Sequence, residues 1–136
     1  MCHWDPDRVP VRTWDVWVNY SYPSQNDLGG NHKSGFKYRR IRNSLALRLK
    51  DQLNAIPAAK QFRAGVITRH YGLSAKGRQK REYDRENLIG GGKPLVDVLK
   101  DYAVIIDDRP DCWTGHYRQE KAADGVDKIH IQLIEY

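Results

Sequence analysis

Residues 83–108 have the sequence YDRENLIGGGKPLVDVLKDYAVIIDD, which combines several acids, three consecutive glycines and two apolar runs. The glycines at 90–92 predict a flexible hinge, because glycine restricts the backbone least. Pro94 suits the first position of a helix, and we expect this helix to end at about Lys100. Apolar side chains at helical spacing predict three core positions in it: Leu95, Val98 and Leu99. The stretch therefore predicts a hinge followed by a core helix.

The residues after this helix are expected to return the chain to the core. Residues 103–106 are all apolar and predict a short buried strand. An acidic pair, Asp107 and Asp108, ends that strand. The next residues, RPD at 109–111, predict a turn.

Hydrophobic periodicity predicts the other elements. Residues 36–56 repeat apolar side chains every four positions from Ile41 to Leu53, which predicts the longest helix, ended by Pro57. Alternating or apolar segments predict strands at 11–20, 61–71, 113–119 and 128–136, with a turn at 122–127. We expect Ile129, Ile131 and Leu133 to point inward. The pattern predicts one α/β (α+β) domain over residues 1–136, in which residues 1–12 are an irregular arm and two main helices pack on a small β-sheet.

Charge is distributed unevenly along the chain. The net charge is +6, but residues 33–81 hold 14 Lys or Arg and one acid, whereas residues 82–136 hold seven Lys or Arg and twelve acids. A basic half beside an acidic half predicts a groove for a polyanion next to a cation site. We expect residues 72–82 to form a mobile basic loop that orders on a phosphate backbone. The alternative is a solvated helix face and a charged loop.

Other classes of protein and site do not fit this sequence. The glycines before Lys93 lack the spacing of a phosphate-binding loop, since Pro94 follows the lysine. Cys2, His3, Cys112 and His116 match no zinc-ligand spacing. Two cysteines are too few for a disulfide framework and favour a reducing cytoplasm. No apolar run reaches membrane-spanning length, and the N-terminus lacks a secretory apolar core, so we expect a soluble protein.

Four acids near Lys93 predict chemistry on phosphate. Asp84 and Glu86 would share a face in extended chain, where two carboxylates repel unless a cation or a proton relieves them. With the acids at 107–108 they offer the oxygen ligands that Mg²⁺ or Mn²⁺ prefers. Lys93 suits the charge that develops on a phosphodiester. Two alternatives remain open: the acids are solvated loop residues, and Lys93 forms an ordinary ion pair with Asp97, four residues later.

In these residues the chain resembles the RusA family of Holliday junction resolvases, which is common in bacteriophages and prophages. The family shows Asp-x-Asp-Asn, then a lysine, an aspartate four residues later and an Asp-Asp pair after a short apolar strand. The matching residues occur in the same order: Asp84, Glu86, Asn87, Lys93, Asp97, Asp107 and Asp108. Residues 23–26, PSQN, resemble the family's proline-serine-asparagine segment, and the resemblance spans residues 14–136. Glu86 in place of aspartate and the glycine spacer at 90–92 are departures from the family pattern.

The resemblance implies a RusA-like fold with a mixed sheet, a homodimer, a Mg²⁺ or Mn²⁺ cofactor and paired symmetric nicks across four-way DNA junctions. The implied metal ligands are Asp84, Glu86, Asp107 and Asp108, and the implied catalytic residues are Asp84, Glu86, Lys93 and Asp108. Asn26 and Asn87 would support them. Charge adds candidate DNA contacts at Arg39, Arg40, Arg69, Lys76, Arg78, Lys80 and Arg81. Two rival functions are a catalytically weak or inactive protein of the same fold that binds branched DNA, and a partner-binding domain with solvated charges.

Overall fold

The computed structural model describes residues 9, 11–28, 35–57 and 61–135. Its strands are β1 (Arg12–Val18), β2 (Ala64–Tyr71), β3 (Thr114–Lys121) and β4 (Lys128–Glu135). Its α-helices are α1 (Phe36–Asn54), α2 (Arg85–Gly91) and α3 (Lys93–Asp101), and a short 3-10 helix covers Asn26–Leu28. The chain is one small α+β domain, a four-stranded mixed sheet with two main helices, α1 and α3, as predicted. Most of the predicted arm, residues 1–8 and 10, and the last predicted strand residue, Tyr136, lie outside the described residues.

The sheet has the strand order β1-β4-β2-β3. Strand β4 pairs antiparallel with both β1 and β2, whereas β2 and β3 run parallel. Parallel neighbours cannot be joined by a tight turn, so the chain leaves β2 and returns to β3 through a helical crossover. That crossover consists of the loop at 72–84, α2, α3 and the segment after them. It contains all the acids predicted to act on phosphate.

The core lies between the sheet and the two main helices. Leu45, Leu49 and Leu53 of α1 are at most 3% exposed, which confirms the predicted apolar stripe. The predicted core positions of α3 and β4 are confirmed as well, since each is fully buried: Leu95, Val98, Leu99, Ile129, Ile131 and Leu133. Burial of such a stripe is the main stabilising term for a helix of this length.

Residues 103–106 do not form the predicted strand. Ala103 has a φ of +58°, which turns the chain immediately after α3. The N–H of Val104 then donates to the carbonyl of Leu99 at 2.9 Å, so the segment closes the end of the helix. Val104 and Ile105 are buried, but Ile106 is 39% exposed. A short apolar run does not distinguish a buried strand from a buried turn, and here the turn forms.

The three glycines at 90–92 are not a flexible hinge. Gly91 is the last residue of α2, and Gly92 joins α2 to α3. A Cβ atom on Gly91 would lie 1.9 Å from the carbonyl oxygen of Pro23, and one on Gly92 would lie 2.6 Å from the hydroxyl of Tyr22. Glycine is needed here because other chain segments pack directly against this helix junction. The junction is therefore closely packed, and it fixes where α3 begins.

Cys112 is buried, at 1% exposed. Within the described part of the chain, no helix has the length and apolar character needed to cross a membrane.

Candidate functional site

A cluster of charged side chains lies where α3 meets the segment that follows it. Lys93 Nζ lies 3.7 Å from Asp97 Oδ1 and 3.8 Å from Asp108 Oδ2. Lys100 Nζ lies 3.6 Å from Asp107 Oδ1 and 3.7 Å from Asp108 Oδ1. Residues 93, 97 and 100 share one face of α3 because they are spaced by four and three positions. All four distances exceed those of direct hydrogen bonds, so these side chains form ion pairs that are not hydrogen-bonded.

Asp97 is the buried member of this charge cluster. It is 6% exposed and is flanked in sequence by core residues of α3. Burial raises the pKa of Asp97, Lys100 opposes that shift, and the neighbouring carboxylates of Asp108 and Asp101 add to it. Arg42 of α1 approaches Asp97 to 4.0 Å from the other side. Sequence reasoning treated Asp97 only as a family match and an ion-pair partner of Lys93. An acid among apolar helix positions was the signal for a larger role.

The acidic pair at the end of the crossover has its own hydrogen bond. The N–H of Asp108 donates to Asp107 Oδ1 at 2.7 Å, and this bond, with the nearby cations, holds the pKa of Asp107 below its ordinary value. Arg109 Nε lies 3.2 Å from the other Asp107 oxygen. Asp107 therefore accepts contacts on both carboxylate oxygens, whereas Asp108 faces the two lysines.

Asp84 and Glu86 are not on one face of an extended chain. Asp84 is the N-cap of α2: its Oδ1 accepts the N–H of Asn87 at 2.9 Å, and its Oδ2 accepts the Asn87 side-chain amide at 3.1 Å. Glu86 lies in the first turn of α2. Residues two apart in a helix do not face each other, so the predicted shared face is wrong. The Asn87 amide orients Asp84.

The predicted metal ligands are only partly brought together. Asp107 and Asp108 adjoin each other, but Asp84 caps the start of α2, whereas Lys93 follows its end. The seven-residue helix between them is roughly 10 Å long. Among the described residues, no group of three or more His, Cys, Asp or Glu side chains is arranged to hold a metal ion. The described carboxylates therefore do not form a ready cation site, and a cation at Asp108 would compete with Lys93 and Lys100.

Two cavities lie near the start of α1. A cavity of about 430 Å³ is lined by Gln25, Leu28, Tyr38, Gly90 and Lys93. A second, of about 260 Å³, is lined by Lys37 and Arg40 of α1, by Ile41, and by Tyr20, Ser21, Tyr22, Pro23 and Asp27 of the segment after β1. Lys93 thus borders both the charge cluster and the larger cavity, whereas Arg40 borders the smaller one. Neither Gln25 nor Tyr38 was among the predicted site residues.

The predicted DNA contacts differ in how accessible they are. Arg39, Arg40 and Asn26 are exposed. Arg69 is 4% exposed, with its guanidinium 3.6 Å from the centre of the Tyr83 ring and donating to Gln119 Oε1 at 3.0 Å. That guanidinium is occupied inside the fold, so the assignment of Arg69 to DNA is wrong.

Residues 72–82 form a loop that is held by hydrogen bonds, and their ordering on a phosphate backbone stays a prediction. The N–H of Ser74 donates to the Arg78 carbonyl at 2.7 Å, and the N–H of Gly77 donates to the Ser74 carbonyl at 2.8 Å. Lys80 pairs with Asp127. Burial raises the pKa of Asp127, but hydrogen bonds from Lys80 and a backbone N–H outweigh it and hold that pKa below its ordinary value. Lys80 therefore belongs to the fold, and the exposed basic residues here are Lys76, Arg78 and Arg81.

No protein-family model matches this chain, and comparison with curated proteins gives no match. The likeness to the RusA pattern therefore stands on the residues quoted above. Of that pattern, the structure joins Lys93, Asp97, Asp107 and Asp108 in one cluster. It leaves Asp84 and Asn87 paired with each other at the start of α2.

Proposed function

We propose that this protein is a RusA-like, divalent-metal-dependent endodeoxyribonuclease that cuts four-way DNA junctions in recombination and repair, in the cytoplasm of a bacterial or phage-infected cell. The observation that carries the proposal is the position of Lys93. Its ammonium lies between two carboxylates, Asp97 and Asp108, and its side chain is 59% exposed. It also borders a cavity large enough for part of a nucleotide.

The fold fixes Lys93 in a way that suits phosphoryl chemistry. Lys93 is the first residue of α3, next to a packed glycine junction and followed by the buried Pro94. A cation held by rigid elements stabilises charge that develops on phosphate oxygens without moving at the moment of reaction. Hydrolysis of a phosphodiester develops such charge on the phosphate and on the leaving oxygen. Lys93 is therefore proposed to stabilise that charge.

The proposed cofactor is Mg²⁺ or Mn²⁺, as the family resemblance implies. The donor set is suitable, since carboxylate oxygens are the ligands these ions prefer. The arrangement is not, because Lys93 and Lys100 neutralise Asp108 and the described carboxylates do not converge. The metal requirement thus depends on the resemblance and on the acids themselves.

The proposed DNA path runs over exposed basic residues near the site. Arg39 and Arg40 lie on the first turns of α1. Side chains of these turns also line both cavities. Lys76, Arg78 and Arg81 project from the loop before α2. Exposed Lys and Arg side chains supply sequence-independent affinity for a phosphate backbone. This part of the proposal needs no metal.

A homodimer is proposed because two symmetric nicks need two sites. The sequence adds weak support, because Trp14, Trp17, Trp113 and the apolar C-terminal strand are more large apolar groups than one small core needs. In the structure Trp113 is 6% exposed and belongs to the core, and Trp14 packs against the core, whereas Trp17 is 44% exposed. Only Trp17 still supports the argument. Light scattering should give twice the chain mass of 15.8 kDa, and a monomer that stays monomeric on a junction would exclude paired nicking.

A second candidate function is binding of branched DNA without chemistry. It is favoured by the same ion pairs, since Asp97 and Asp108 are balanced by Lys93 and Lys100 and do not need a cation. A protein of this kind would retain the basic surface and show no tight metal site. Calorimetric titration with Mn²⁺ separates the two functions, because only the nuclease should bind the ion at the acids.

One experiment tests the proposed function directly. A labelled four-way junction and a duplex of matched sequence are incubated with the protein in Mg²⁺, in Mn²⁺ or in chelator. We expect cuts in the junction only when the ion is present, and weaker or no cutting of the duplex. Binding without cutting under all conditions supports the second candidate. No binding even at low salt contradicts both and leaves the partner-binding domain.

A further inference from the structure

The segment just before α2 is attached to the sheet by one glutamine side chain. Gln119 lies on β3, which forms an edge of the sheet. Its Oε1 accepts the N–H of Tyr83 at 3.0 Å, and its Nε2 donates to the Tyr83 carbonyl at 2.8 Å. One amide thus satisfies both backbone groups of Tyr83, as a paired strand would. Tyr83 directly precedes Asp84, the N-cap of α2.

Arg69 fixes the orientation of the Gln119 amide. The two residues are paired neighbours on the parallel strands β2 and β3. Arg69 Nη1 donates to Gln119 Oε1 at 3.0 Å and to the Arg81 carbonyl at 3.1 Å. A guanidinium has donors only, so the amide oxygen must face it and the amide nitrogen is left for the Tyr83 carbonyl. Arg69 is 4% exposed, and a buried charge that loses a partner is costly, which favours this one arrangement.

The Tyr83 side chain completes the attachment. Its ring centre lies 3.6 Å from the Arg69 guanidinium, and its hydroxyl donates to the Tyr22 carbonyl at 2.9 Å. The Tyr22 hydroxyl in turn donates to the Leu88 carbonyl in α2. The backbone and the side chain of Tyr83 are therefore both fixed, and α2 is bound to the same Tyr22 one turn further on.

Asp84 is exposed and can accept more than its helix cap requires. Each of its oxygens accepts one hydrogen bond from Asn87, whereas a carboxylate offers about four lone-pair sites. The cap and a further contact to a cation or a water can therefore coexist. Because an aspartate side chain is short, the backbone at 83–84 sets where those sites lie.

We propose that Gln119 is a positioning residue that holds Asp84 in place for phosphodiester cleavage, and that Arg69 orients Gln119 for this role. The inference rests on the proposed nuclease function and adds to it a support from the sheet. Reacting groups must be held within about 0.5 Å of their productive geometry, and a misplacement of about 1 Å can cost about 10²-fold in rate. A seven-residue helix is too short to fix its own N-terminus, so the sheet supplies the rigidity.

Gln119→Met tests this inference, because it keeps the side-chain length and removes the amide. Gln52→Met is the matched control, since Gln52 of α1 binds the opposite edge strand, β1, in the same way. Its Oε1 accepts the N–H of Trp17 at 3.1 Å, and its Nε2 donates to the Trp17 carbonyl at 2.6 Å. Gln119→Glu is a milder variant that keeps the acceptor for Arg69 and for the Tyr83 N–H and loses the donor to the Tyr83 carbonyl.

Stability, local exchange and cutting are measured on each protein. Thermal unfolding and light scattering show whether a variant is folded and has the wild-type mass. The exchange rate of the Asn87 amide, measured by NMR in chelator, reports on Asp84 whether or not the protein cuts DNA, because that N–H donates to Asp84 Oδ1. Junction affinity and the single-turnover rate at saturating protein separate binding from chemistry.

We expect Gln119→Met to exchange the Asn87 amide roughly tenfold faster, the effect of losing about one net hydrogen bond. It should cut roughly 10²-fold more slowly with unchanged junction affinity. Gln119→Glu should show smaller changes in both, and Gln52→Met should match the wild type in both. If Gln119→Met does not fold, the comparison of Gln119→Glu with Gln52→Met decides.

The outcomes separate the positioning role from the nuclease. Wild-type cutting by the Gln119 variants, or equally slow cutting by Gln52→Met, would overturn the positioning role and leave the nuclease intact. Faster Asn87 exchange in the Gln119 variants, without cutting by the wild-type protein, would overturn the nuclease and support the hold of Gln119 on Asp84. Neither cutting nor a change in exchange would overturn both.

Discussion

Replacing Lys93 by alanine separates catalysis from stability. The Lys93 side chain is 59% exposed and lies 3.7 Å from Asp97 and 3.8 Å from Asp108. Two unit charges about 4 Å apart interact by about 1 kcal/mol in bulk water, and measured exposed ion pairs contribute roughly 0.2–1 kcal/mol. Lys100 still neutralises Asp108 when Lys93 is gone. We therefore expect Lys93→Ala to lower the free energy of unfolding by less than about 1 kcal/mol.

The effect on the reaction should be much larger. Removing one fixed group that stabilises transition-state charge typically lowers the rate by about 10²–10³-fold. Single-turnover cleavage of a four-way junction measures that loss, and thermal unfolding of the same samples measures stability. Junction affinity should change little, because the ammonium is not a major part of the basic surface. Metal affinity should not fall, because the ammonium is no metal ligand and competes with a cation at Asp108.

Lys100→Ala is the matched control. Lys100 lies on the same face of α3 and makes two ion pairs of similar length, at 3.6 and 3.7 Å, but it does not line the cavity. It should cost similar stability and far less rate. If both lysine variants cut at close to the wild-type rate, Lys93 is an ordinary ion-pair residue and the catalytic assignment is wrong. Equal large losses in both would show that the net charge of the cluster matters rather than the position of Lys93.

Four further predictions follow from the described contacts. Asp84→Asn should abolish cleavage yet keep the cap of α2, whereas Asp84→Ala should also cost about 0.5–2 kcal/mol of stability; wild-type cutting by the asparagine variant excludes the residue from the site. Replacing Lys76, Arg78 and Arg81 by alanine should make DNA affinity, measured by fluorescence anisotropy, depend less on salt. The slope of log affinity against log salt concentration should fall by roughly 0.9 for each lost contact, and an unchanged slope means that the loop does not touch DNA. Gly91→Ala should destabilise the protein by roughly 1–3 kcal/mol in urea unfolding, because its Cβ would meet the Pro23 carbonyl at 1.9 Å; an unchanged midpoint contradicts the packed junction. Burial raises the pKa of Asp97 above 3.8, so its stabilising contribution is present below that pH and is lost as pH rises through the raised pKa. Asp97→Asn should reduce this loss of unfolding free energy, measured by urea unfolding over a pH series. The same pH dependence of stability in both proteins would refute it.

The sequence by itself determined the elements whose pattern is local. The four-residue spacing of Leu45, Leu49 and Leu53 predicts α1, and the alternation of Ile129, Ile131 and Leu133 predicts β4. In both cases the chain buries one face, so the period of the apolar residues follows from helix or strand geometry alone. The list of acids near Lys93 is also local information, since the order of residues carries it.

Only the tertiary structure decided what those residues touch. Whether residues 103–106 form a strand depends on the rest of the sheet. Strand β2 is already paired with β3 and β4, and residues 103–106 form a turn instead. Gly91 is required by Pro23, which lies 68 positions earlier in the chain. Asp97 meets Arg42 and Asp108 only after α1 and the crossover pack together. Composition and spacing cannot predict such contacts, because the burial and charge around each side chain come from segments that are distant in sequence.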